Sequence, residues 1–118
     1  MLTLPPSVRV FVCATATDMR RGFDGLAMMA ETILRQDPHS GHLFVFVNRR
    51  GDRMKVLYWD RDGFCLWYKR LEKGVFRLPA RLTDGAELRA ADLALVLDGI
   101  DPGTVKRAPR YERASACA

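Results

Sequence analysis

The segment from Leu43 to Trp59 constrains the fold more than any other part of the chain. LFVFV, Leu43 to Val47, is a continuous apolar run suited to a strand buried on both faces. NRRGD, Asn48 to Asp52, supplies the turn, and Arg53 to Trp59 returns as a strand with Met54, Val56 and Tyr58 on one face. Together they predict a hairpin with Arg49 and Arg50 at its tip, where no core needs them. The chain on either side is expected to supply a frame.

Upstream, VRVFVC at Val8 to Cys13 is an apolar, β-branched run typical of a strand. Thr17 or Asp18 then stands as a capping residue ahead of Phe23, Leu26, Ala27, Ala30, Ile33 and Leu34, whose spacing predicts a helix from about Gly22 to Arg35. Gly22 and Gly25 weaken its first turn by about 1 kcal/mol each relative to alanine, which admits close packing or close approach by a ligand. Pro38 and Gly41 end the segment before the hairpin.

Downstream, DRDG at Asp60 to Gly63 admits two readings. Asp62-Gly63 is either a two-residue hairpin turn into a third strand, or Asp62 caps a helix with Phe64, Trp67, Tyr68 and Leu71 at i, i+3, i+4 and i+7, closed by Gly74. The helical reading is preferred, and it puts Lys69, Arg70 and Lys73 near the C-terminal end, where the helix dipole favours cations. Val75 to Leu78 is a short strand stopped by Pro79, Arg81 to Gly85 a loop, Glu87 to Arg89 a brief strand, and Ala90 to Leu97 a short helix ended by Gly99. The expectation is an α+β fold. One small domain over residues 1–101 holds a mostly antiparallel sheet of three to five strands with two or three helices, and residues 102–118 form a basic, flexible tail.

A chain of 118 residues fits one domain with a single core. Its apolar runs are far too short to cross a bilayer, and MLTLPPSVRV carries no export signal. Cys13, Cys65 and Cys117 are odd in number and widely spaced, which argues against a disulfide framework and for a reducing, cytoplasmic setting. The net charge is +5, and fifteen of the nineteen cations are arginine, the planar fork that suits phosphate and base edges. Residues 49–81 alone hold ten cations against four anions.

Catalytic chemistry finds little footing. Asp18, Asp24, Asp52, Asp60 and Asp62 could in principle hold metal ions for hydrolysis, but caps and turns account for most of them more simply. His39 and His42 flank a turn without the neighbours that would complete a metal site. Cys13 and Cys65 sit in apolar runs where a thiol is inert packing, no serine stands in an elbow motif, and NRRGD lacks phosphate-loop spacing. No catalytic residue, cofactor or metal is assigned. What remains is binding: Arg49, Arg50, Arg53, Lys55, Lys69 and Arg70, with Trp59, Trp67 and Tyr68 nearby, have the composition of nucleic-acid contact, although Trp67 and Tyr68 suit a core equally well.

Longer motifs add to this. DMRRGFDGL at Asp18 to Leu26, SGHLFVFVNRRGDRMKVLYWDRDGF at Ser40 to Phe64, LWYKRLEKGVFRLP at Leu66 to Pro79 and LALVLDGID at Leu93 to Asp101 resemble the TnpB accessory protein of the insertion-sequence-66 family of bacterial transposable elements. The resemblance covers nearly all of Leu4 to Asp101, in order and at the right spacing. Leu78-Pro79 stands where an aromatic-proline pair is frequent, Ala90 where a capping serine is, and the tail after Asp101 is not covered. The resemblance implies a small helper encoded beside a separate DDE-type transposase, assisting transposition without cleaving strands itself. The RNA-guided nucleases that share the TnpB name are much longer and are not resembled.

Three functional expectations follow, ranked. In the first, an accessory protein holds element-end DNA, with Arg49, Arg50, Arg53, Lys55, Lys69 and Arg70 on phosphates and Arg20 and Arg21 joining them beside the helix start. In the second, the chain docks on the transposase or another accessory subunit through Trp59 or an exposed edge strand, and self-association is admitted. In the third and weakest, Asp18 and Asp60 serve a small metal-dependent nuclease.

Overall fold

One crossover precedes the hairpin. Strand β1 (Val10–Cys13) is followed by helix α1 (Phe23–Thr32), and strand β2 (Leu43–Val47) then lies parallel to β1, with Val10 opposite Leu43 and Cys13 opposite Phe46. A parallel pair needs such a crossover, and α1 provides it. Strands β3 (Arg53–Asp60) and β4 (Gly63–Arg70) continue as an antiparallel meander, and β5 (Ala86–Leu88) returns antiparallel to the far side of β1. The sheet order is β4-β3-β2-β1-β5, and helix α2 (Ala90–Leu97) follows β5. The computed structural model describes residues 5, 7–80 and 82–99. The expected tail, 102–118, lies outside the described residues, as does Arg81 of the expected loop.

Both faces of the sheet are covered, so β1 and β2 are apolar at every position. On one face Phe11, Cys13, Phe44, Phe46 and Leu57 pack with Leu26, Met29 and Ala30 of α1 and with Leu34. On the other, Val10, Val12, Val45, Met54 and Val56 pack with Leu93, Val96 and Leu97 of α2 and with Phe76. The architecture is the expected small α+β fold, with five strands and two helices among the described residues.

The span from Gly63 to Arg70 is a strand, which corrects the helical expectation for Phe64 to Lys73. Its side chains alternate between the two cores: Phe64 and Leu66 pack on the α1 side, Trp67 on the α2 side. Packing on both sides of a pleated strand won over the i, i+3, i+4, i+7 coincidence. The turn into β4 is Arg61-Asp62, one residue earlier than the Asp62-Gly63 alternative, because Gly63 already pairs with Asp60. Arg61 holds the left-handed conformation, φ 55°, that such a turn demands.

Three smaller expectations also change. Val75 to Leu78 forms no strand; the Phe76 amide donates to the Gly51 carbonyl at 2.7 Å and its ring fills the α2-side core. Helix α1 begins after Gly22, which brings no side-chain cap, whereas Thr17 and Asp18 stay in the preceding loop. No atom lies within 4 Å of where a Gly22 Cβ would stand, so close packing does not explain that glycine.

Candidate nucleic-acid interface

The pairing of β3 with β4 sorts the cations into two groups. Arg53 stands opposite Arg70, Lys55 opposite Tyr68, Leu57 opposite Leu66 and Trp59 opposite Phe64. Leu57, Leu66 and Phe64 belong to the α1-side core, so this whole set shares that face. Lys69 pairs with Met54, whose side chain lies in the α2-side core, and therefore turns the other way.

Lys55 departs most from its expected role. It is 7% exposed, and its Nζ donates to the Met19 carbonyl at 2.6 Å and to the Arg21 carbonyl at 2.9 Å while lying 4.7 Å from the centre of the Tyr68 ring. With its donors spent on main chain, it ties the loop before α1 onto β3 instead of presenting charge to solvent. This corrects its expected place among the phosphate contacts.

That tie fixes where Arg20 and Arg21 stand. The Arg21 stem runs across the first turn of α1, where a Cβ on Gly25 would meet it at 3.4 Å. Arg20 is paired with Asp18 at 2.7 Å, yet its side chain is 91% exposed. Asp18 also accepts from the Arg20 amide at 2.9 Å, and the Arg20 bonds hold its carboxyl down to about 2. Arg49 joins Ala16, Thr17 and Asp18 around a shallow cavity of about 250 Å³.

The hairpin tip is held by its own polar groups. Asn48 donates to Asp52 at 2.7 Å and accepts from the Arg53 amide at 3.0 Å, and the Leu71 amide reaches the Asp52 carbonyl at 2.7 Å. Gly51 takes φ +78° there, with Val75 against it. Arg49 and Arg50 are exposed on this tip. Arg53 donates to the Tyr68 hydroxyl at 3.0 Å, and Arg70 pairs with Glu72 at 2.9 Å.

On the α1 side Arg53 and Arg70 thus stand opposite each other across β3 and β4, while the shallow cavity sets Arg49 beside Asp18, the partner of Arg20. Lys69 instead shares a cavity of about 450 Å³ with Lys73, Arg77, Leu71, Val75, Leu97 and Asp98. Sequence reasoning gave Arg77 no role; its proximity to Lys69 comes from the turn at Gly74, φ +79°, and no periodicity signals it.

Trp59 is engaged within the chain. His39 lies 4.7 Å from it and Phe64 5.0 Å, ring centre to ring centre, both edge-on. His42 points elsewhere, its Nδ1 accepting from the Arg9 amide at 2.9 Å. Asp18 lies beside Arg49 near the hairpin tip, and Asp60 ends β3 at the opposite end of that strand, so the two carboxylates of the nuclease alternative do not converge. Among the described residues no three histidine, cysteine or acidic side chains group as metal ligands, and no described helix is long and apolar enough to cross a membrane.

The described residues define a small α+β protein built on one five-stranded sheet, with the meander sorting Arg53 and Arg70 to one face and Lys69 to the other. The chain belongs to the IS66 Orf2-like family, whose TnpB model matches residues 8–107; that family's role in insertion-sequence transposition is accessory. Two relatives come from Sinorhizobium fredii (strain NBRC 101917 / NGR234). The uncharacterized protein y4hO is 40% identical over 101 residues, covering 86% of this chain and 88% of its own length. The uncharacterized protein y4jC is 38% identical over 103 residues, covering 86% and 87% respectively. No solved structure matches the chain.

Proposed function

We propose that this chain assists transposition by binding element-end DNA on the α1 side of its sheet and presenting it to the transposase, in the bacterial cytoplasm and with no catalysis of its own. The placement of Arg53 and Arg70 on the α1 side, with Arg49 beside Asp18, the partner of Arg20, carries this reading, together with the accessory role of the family. Arg53 and Arg70 are directly opposite on adjacent strands, a like-charge arrangement that a bound phosphate relieves. Arg50 extends the surface at the tip, and Lys55 supports it from beneath. Lys69, on the other face, is left out of this contact.

Fluorescence anisotropy with an element-end duplex and a random duplex, across a salt series, tests the reading. The expected result is binding that weakens steeply with salt and is crippled when Arg20, Arg21, Arg53 and Arg70 are all changed to glutamine. No binding by the folded wild-type chain at the lowest salt would refute it.

A further inference from the structure

We propose that a second copy of this chain pairs with the open edge of β4, joining two five-stranded sheets into one of ten strands. The two edges of the sheet are unlike. At one, β5 is three residues long and flanked by the Arg9–Glu87 ion pair. At the other, β4 runs for eight residues without a proline. Long edges of this kind are templates for another strand unless something blunts them.

The hydrogen-bond pattern fixes which groups are on offer. The Leu71 amide donates to Asp52, continuing the β3–β4 ladder by one step, so the odd-numbered residues of β4 bond to β3. Phe64, Leu66, Tyr68 and Arg70 therefore turn their N–H and C=O groups outward, where none has a backbone partner among the described residues. Tyr68, on this edge, is 46% exposed despite its size.

Charge along the edge selects both the orientation and the partner. Asp60 and Asp62 flank Arg61 at the turn end, a net negative charge, and Lys69 and Arg70, the latter also paired with Glu72, lie at the far end. A parallel partner copy would set like charges side by side, whereas an antiparallel one opposes them. With a two-fold axis normal to the sheet at Leu66, Phe64 faces the partner's Tyr68 and Asp62 faces the partner's Arg70. All of these are even-numbered positions, so the outward backbone groups meet in register. The same axis keeps both α1 faces on one side of the joined sheet. The pairing itself requires no nucleic acid.

Sedimentation of the nuclease-treated full chain over a concentration series tests this. The expected result is a monomer–dimer equilibrium. Leu66→Pro, which removes an outward N–H and spares the β3 ladder, should sediment as a monomer with an unchanged far-ultraviolet dichroism spectrum. Asp62→Arg and Arg70→Asp should each weaken the dimer about tenfold, since the symmetric interface contains that pair twice, and the double variant should recover most of the loss. Should Leu66→Pro fail to fold, the charge exchange decides alone. A chain that stays monomeric at every concentration overturns the proposal. So does a dimer indifferent to the charge variants, or one that survives Leu66→Pro, as a contact through residues 101–118 would.

Discussion

The Lys55 ammonium lies over the Tyr68 ring, 4.7 Å from its centre, and from there bonds to the carbonyls of Met19 and Arg21. One buried cation thereby joins the meander to the loop that carries Arg20 and Arg21. Replacing it leaves two carbonyls without their donor. Lys55→Met should lower unfolding free energy by about 2 kcal/mol in urea denaturation, and DNA affinity should fall although the lost charge never faced solvent.

The two faces should be separable by salt dependence. Arg53→Gln should reduce the slope of log K against log salt by about 0.9, the value for one phosphate contact. Arg77→Gln, in the cavity on the Lys69 side, should leave it unchanged. Equal slopes for the two variants would contradict the assignment of DNA to the α1 face.

Asp18 predicts a specific pH response. Its folded value of about 2 lies below the ordinary 3.8, so the Arg20 pairing contributes fully above 3.8 and is lost as pH falls through about 2. Carbon-detected NMR should place the Asp18 carboxyl midpoint near the lower value, and Arg20→Gln should return it towards the ordinary one. Asp18→Asn releases Arg20 and should tighten DNA binding about threefold at low salt.

The two described cysteines should label unequally. Burial, and then the Asp84 carboxylate beside it, pushes the Cys13 thiol up, and its Sγ lies 3.6 Å from the Asp84 carboxylate. Cys65 is only partly buried. Maleimide labelling of the native protein at pH 8, read by peptide mass spectrometry, should modify Cys65 and spare Cys13 until the chain unfolds.

Much of the fold was legible because its signals are local. The apolar β2 run, the alternation of β3, the helical spacing from Phe23 to Ala30 and the apolar stretch of α2 each hold their evident conformation, although α1 ends at Thr32, short of the expected Arg35, which takes φ 58°. Strand β4 was misread because Phe64, Trp67, Tyr68 and Leu71 satisfy helical spacing by coincidence, and only the opposed cores on its two sides show the pleat. Lys55 was misread for a related reason. Its partners are main-chain carbonyls 34 and 36 residues earlier, which no side-chain pattern announces. The split between Arg70 and Lys69 likewise follows once β4 is a strand, where neighbours in sequence face opposite ways.

The bonds that close the hairpin tip bear on how tightly a partner can be held. Asn48, Asp52, Leu71 and Phe76 fix the backbone on which Arg49 and Arg50 ride. A flexible loop of the same composition would surrender conformational entropy residue by residue on meeting its ligand, at about 1–2 kcal/mol for each backbone unit immobilised. Here that loss is taken when the chain folds, so in the proposed DNA contact the attraction between arginine and phosphate would go into affinity instead of into ordering the loop.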